Sequence, residues 1–156
     1  MSTSDKQMQV VGIDVWRGKA YLPTIARSES GKYLDIEPVY IADLTVKDLA
    51  KAIQVVKDTG HELVPDPRTR QESLAYIKPI LAATGARNWK QLAQTGANYS
   101  IDWTVNEIRI DMSRLDEEGR WESDPNKVRI LLPDTPLEVV VEIILDDVKT
   151  RPEVFH

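Results

Sequence analysis

Thr135-Pro136-Leu137-Glu138-Val139-Val140-Val141-Glu142-Ile143-Ile144-Leu145-Asp146-Asp147-Val148 is the stretch whose reading decides the fold. Its β-branched run suits a strand. Two features outweigh that. Leu137, Val140, Val141, Ile144, Leu145 and Val148 recur at the spacing of one helix face. Thr135, Pro136 and Glu138 stand where a helix takes its N-cap, a first-turn proline and a capping-box acid. Against them stands a propensity deficit of only a few tenths of a kcal/mol per residue, so the chain is expected to close on an amphipathic helix with Ile144 in its buried stripe.

The segments before that helix alternate like strands. Ile101, Trp103 and Val105 share one side, and Ile108, Ile110 and Met112 do so in the next strand. Arg120 to Ser123 and Lys127 to Leu132 follow the turns Asp116-Glu117-Glu118-Gly119 and Asp124-Pro125-Asn126. If that first turn closes Leu115 against Arg120, Trp121 joins Met112 on one face, and Arg109, Asp111, Arg120 and Glu122 form a charge ladder on the other.

Three Thr-Gly dipeptides, at 59–60, 84–85 and 95–96, read as helix ends, each glycine taking the left-handed conformation after the last turn. The first helix has Thr45 as N-cap, Leu44 as its hydrophobic staple, and Leu49, Ile53 and Val56 as its buried stripe. A second starts at Thr69, with Glu72 completing a capping box, and carries Leu74, Ile77 and Leu81 inward. Pro79 should kink or split it near Ile77. The third runs from Trp89 to Gln94 behind Asn88. At the N-terminal end, strands are expected over Gln9 to Trp16, Ala20 to Ala26 and Tyr33 to Ile41, with Pro23 and Pro38 forcing edges or bulges. The sum is an α+β fold. A mostly antiparallel sheet, built from an N-terminal three-strand meander plus C-terminal strands, carries about four helices on one face. Residues 1–7 read as a flexible tail and 8–156 as one domain, a size that buries a core without staples.

The absence of cysteine excludes disulfides, thiolate zinc sites, iron–sulfur clusters and thiol catalysis. The start of the chain has no signal-peptide core and no run reaches a membrane span, so a cytoplasmic protein with no membrane partner is expected. A sequence pI near 5.1 disfavours nucleic acid. With two histidines, His61 behind a helix end and His156 at the terminus, and with no nucleophile elbow, phosphate loop or metal-binding spacing, no catalytic residue, metal or cofactor is assigned. His61 reads as a capping or surface residue. The Asp111 to Gly119 segment is out of register for a calcium loop, because Leu115 and Asp116 fill positions five and six.

Charge is the remaining signal. From Tyr99 onward there are fourteen Asp/Glu against seven Lys/Arg, whereas Thr45 to Asn98 carries five against eight. Such asymmetry steers association rather than folding. The expectation is a non-catalytic binding module whose acidic C-terminal surface, with Asp111, Asp116, Glu117, Glu118, Trp121, Glu122 and Asp124 as candidate contacts, meets a basic protein partner. A bacterial immunity or inhibitor protein would have this size and charge. Two alternatives remain. One is a small carboxylate-dependent hydrolase, which needs a concave pocket converging on two carboxylates. The other is a structural subunit of a homo-oligomer or larger assembly, for which Val139 and Ile143 would be exposed on the last helix.

Overall fold

The structure, a computed structural model, describes residues 8–156; the tail read over 1–7 lies outside the described residues. Strands β1 (Gln9–Trp16), β2 (Lys19–Ser28) and β3 (Tyr33–Asp43) form the expected meander. Helix α1 (Val46–Thr59), the short β4 (Leu63–Val64), α2 (Arg70–Ala75), α3 (Lys78–Thr84) and α4 (Trp89–Thr95) follow. Next come β5 (Ala97–Trp103), β6 (Ile108–Leu115), β7 (Trp121–Ser123), β8 (Arg129–Leu131), α5 (Leu137–Val148) and a closing 3-10 turn, Pro152–Phe155. The eight-stranded sheet runs β3-β2-β1-β5-β6-β7, with β4 parallel to β2 and β8 paired to β6. The remaining pairs are antiparallel, so the fold is α+β as expected.

Local chemistry explains most boundaries. Thr45, Thr69 and Asn88 each accept a backbone N–H three residues on, as N-caps do. Pro79 splits the second predicted helix: α2 ends at Ala75 with Tyr76 as its C-cap, and α3 restarts with the proline in its first turn. That break turns Leu74 outward, to 45% exposure, and makes Ile80 rather than Ile77 the fully buried residue. β2 and β3 shift register between Pro23 and Thr24, the bulge the two prolines imply, but only β3 is a sheet edge.

Two local readings need correction. Gly60 and Gly85 have φ of +76° and +79°, but Gly96 is extended at −123°. Its reason is close packing: an added Cβ would stand 2.7 Å from the carbonyl oxygens of Leu92 and Val15. Thr135 does not cap α5. Its hydroxyl donates to the Leu132 carbonyl at 2.7 Å, and Pro136 takes the cap position without a side-chain bond.

The first core lies between the sheet and α1 with α5. Leu49, Ile53 and Val56 meet Val140, Val141, Ile144, Leu145 and Val148 over Val11, Ile13, Val15, Tyr99, Ile101, Ile108 and Ile110. Helices also reach the opposite face, where the sequence reading placed none. There Ile80 and Leu92, from α3 and α4, pack on Trp16 and Tyr21. This second layer covers the β1–β3 half of that face, meets the far edge at Trp121 through Trp89, and leaves Asn98, Ser100, Asp102 and Asp111 between them half-buried.

Candidate functional site

The β5–β7 half is polar because of strand parity. Val11, Ile13 and Val15 point into the first core, so Gly12 and Asp14 point the other way. The ladder then sets Asp14 beside Asn98, Gly12 beside Ser100, Ser100 beside Asp111, and Asp102 beside Arg109. The row ends at β7, where Trp121 pairs with Leu115 and Ser123 with Ser113. Between β5–β6 and β7 lies a hollow of about 360 Å³ lined by Asn98, Ser100, Asp111, Trp121, Glu122 and Ser123, among others.

Its electrostatics are uneven. Asp111 receives Arg109 Nε at 3.0 Å and Nη2 at 3.2 Å, and Ser123 Oγ at 2.8 Å. Burial would raise its carboxyl, but the hydrogen bonds from Arg109 and Ser123 prevail and hold it below the usual carboxylate range. Asp102 moves the other way, raised by burial and then by the charge of Asp111. Beside Asn98 on β1, outside the lining of the hollow, Asp14 is 3% exposed and accepts Asn98 Nδ2 at 2.7 Å. Burial, reinforced by the charge of Asp35, pushes its carboxyl up to about 8 against the Asn98 bond. Asp35 itself is raised to about 6 by burial. Trp121 forms one wall, edge-to-face with Trp89 at 5.3 Å between ring centroids. Its indole N–H is buried without an acceptor among the described residues.

The candidate residues read from sequence fall into two groups. Asp111, Trp121 and Glu122 meet at the hollow, while Asp116, Glu117 and Glu118 join Glu122 around a shallow depression at the hairpin tip. Asp116 shapes that tip: its Oδ1 accepts the backbone N–H of Glu118 at 2.8 Å and of Arg120 at 2.9 Å. Asp124 lies apart, 3.8 Å from Arg114, which also reaches Glu122 at 3.5 Å. Arg120 pairs with Asp116 and Glu118, so six candidate carboxylates face three arginines along the hairpin, counting Arg109. Among the described residues Glu117 alone of the six makes no ion pair or hydrogen bond.

The predicted charge ladder does not form. Leu115 pairs with Trp121, not with Arg120, and this one-residue slip exchanges the faces. Trp121 joins Asp111 and Arg109; Glu122 pairs with Arg114 on the side of Met112. Asp14, Asn98, Ser100 and Asp102 were missed. The available signal was parity: Asp14 sits between Ile13 and Val15, so it had to oppose their face. His61 is neither a cap nor a surface residue. Its Nε2 accepts the Val10 N–H at 3.0 Å and its Nδ1 donates to the Ile25 carbonyl at 2.8 Å, tying β1 to β2. On α5, Val139 is 40% exposed, but Ile143 packs on the core. No helix among the described residues is long and apolar enough to cross a membrane.

No family model and no curated protein matches the chain. Solved structures do share its architecture, an α+β fold on an antiparallel sheet. One is a protein of unknown function from Neisseria meningitidis, 15% identical with a TM-score of 0.69 over 96% of this chain and 99% of that one. Another belongs to the CdiA-CT/CdiI toxin and immunity complex from Yersinia pseudotuberculosis, 11% identical with a TM-score of 0.65 over 92% of this chain and 97% of that one. At these identities the likeness is one of fold.

Proposed function

We propose that the chain is a non-catalytic protein-binding module of the immunity or inhibitor type, acting in the cytoplasm, whose β6–β7 hairpin and adjoining hollow meet a basic protein. The observation that carries the proposal is the polar β5–β7 half of the second sheet face, which ends in a hairpin holding six carboxylates against three arginines. Exposed pairs of this kind contribute about 0–1 kcal/mol to stability, so folding does not account for the excess. Charge excess on one surface does accelerate encounter with an oppositely charged protein. The fold shared with a chain of a toxin and immunity complex supports the same reading.

The hydrolase alternative has less support. It needs an accessible carboxylic acid with a raised pKa beside a second carboxylate. In the hollow, Asp111 is held ionised by its hydrogen bonds and Glu122 lies against Arg114, while the raised Asp14 is buried outside its lining.

The test uses the full chain as bait in its native host, with mass spectrometry, followed by expression of the captured protein with and without this chain. The expected result is a basic protein that inhibits growth alone and ceases to do so when this chain is co-expressed. Capture without any basic protein, or growth inhibition that co-expression leaves unchanged, would overturn the proposal.

A further inference from the structure

The hollow has a lopsided supply of hydrogen-bonding groups. Its donors are spent internally: Asn98 Nδ2 on Asp14, the Asn98 backbone N–H on Ser113 Oγ, and Ser123 Oγ on Asp111. Ser100 Oγ makes only a long 3.5 Å approach to Asp102 Oδ1. Among the described residues, Asn98 Oδ1 and Asp102 Oδ2 receive no hydrogen bond at all. Acceptors are therefore left over, and Arg109 is the cation that faces Asp102 and Asp111 on this side. A guest that satisfies such a surface must bring N–H groups and positive charge.

The wall adds a second requirement. Trp121 lines the hollow with a half-buried ring, an aromatic surface that suits a planar cation. The guest is therefore a cationic, donor-rich side chain. About 360 Å³ accommodates one long side chain with bridging water.

We infer that this hollow is the receptor for a single arginine of the basic partner, its guanidinium set against Asn98 Oδ1 and Asp111 beside the Trp121 ring, with the charge of Asp102 next along the same face of β5. Arginine fits better than lysine because its planar fork carries five donors and stacks on an aromatic face, whereas an ammonium is a compact point charge. The inference rests on the reading of the chain as a binding protein and narrows it from an acidic surface to one anchoring residue. The hairpin tip then steers the approach, and the hollow holds what arrives.

The experiment titrates the ¹⁵N-labelled full chain with N-acetyl-arginine amide, and in parallel with the lysine and citrulline analogues, following the Trp121 indole N–H and the Ser100 and Asp111 amides. Arginine amide should give saturable shifts at these three positions with a millimolar Kd, at least about tenfold tighter than lysine amide, and neutral citrulline amide should give none. Ser100→Arg, which places a tethered guanidinium in the hollow, should abolish the shifts. Should that variant fail to fold, Asp102→Asn should weaken arginine binding about tenfold with the fold intact. Equal binding of citrulline or lysine, shifts confined to Glu117 and Glu118, or no saturation would overturn the inference. The titration reads the hollow alone, so a null result with the captured partner still bound would remove the anchor and leave the binding reading standing.

Discussion

Replacing Asp14 with asparagine should stabilise the chain increasingly as pH rises. Asp14 is 3% exposed, and burial together with the Asp35 charge pushes its carboxyl up to about 8. An aspartate in an unfolded chain titrates near about 3.9. A carboxyl whose folded pKa lies above its unfolded value favours folding at low pH and loses that contribution as pH climbs toward the folded value. Between about pH 4 and 8 the unfolded chain has released this proton and the folded chain has kept it, so each unit costs the native protein about 1.4 kcal/mol. Asparagine has the same shape and no proton to lose, and its amide oxygen can still accept the Asn98 Nδ2 bond. Urea unfolding of both proteins at about pH 5 and about pH 7.5 should therefore show the stability gap widening in favour of Asp14→Asn by about 3 kcal/mol. His61 is common to both chains and drops out of the difference. Adding Asp35→Asn should shrink the widening, because it removes the neighbouring charge. A gap that does not change with pH would refute a protonated Asp14 beside Asn98.

Three further substitutions test the frame that holds the site. Ile144→Ala, at a fully buried position of α5, should cost about 2–5 kcal/mol in chemical denaturation; a loss below about 1 kcal/mol would contradict its place in the core. Asp147 accepts the Tyr99 hydroxyl at 2.7 Å, Lys127 Nζ at 2.8 Å and Arg151 Nε at 2.8 Å. These bonds outweigh the effect of burial and hold its carboxyl below the usual range, so its contribution is present above the unfolded pKa and lost as pH falls through the folded one. Asp147→Asn should cost about 3 kcal/mol near neutrality and progressively less in acid; a cost independent of pH would count against the ionic network. His61→Ala removes both bonds through which the imidazole bridges β1 and β2 and should cost about 1–3 kcal/mol by thermal unfolding, whereas an unchanged melting temperature would rule out the bracket.

What the sequence disclosed was local. Helix α5 was legible because its stripe repeats over three turns, and the caps at Thr45, Thr69 and Asn88 because a cap and the backbone N–H it accepts lie three residues apart. Pro79 announced its own break. Features set by distant partners were not legible. Gly96 follows a threonine as Gly60 and Gly85 do, yet its need for hydrogen in place of Cβ comes from Val15, 81 residues earlier in the sequence, as well as from nearby Leu92. The face of Trp121 hinged on whether Leu115 met residue 120 or 121, a choice made by the Asp116 turn bonds. The acidic residues of the site were visible as charge, but the polar floor was not, because Asn98 and Ser100 acquire meaning only once β5 lies between β1 and β6.

The central claim, that the acidic hairpin receives a basic protein, is tested most directly by the association rate of the captured partner as a function of ionic strength. The comparison is between the native chain and one carrying Glu117→Gln, Glu118→Gln and Glu122→Gln, by surface plasmon resonance. The account predicts an on-rate for the native chain that falls steeply as salt rises and the Debye length shrinks from about 10 Å at 0.1 M. The triple variant should associate more slowly at low salt, respond less to added salt, and melt within a few degrees of native, since its three carboxylates are exposed. An on-rate indifferent to salt, or a triple variant that associates as fast as the native chain, would contradict the account.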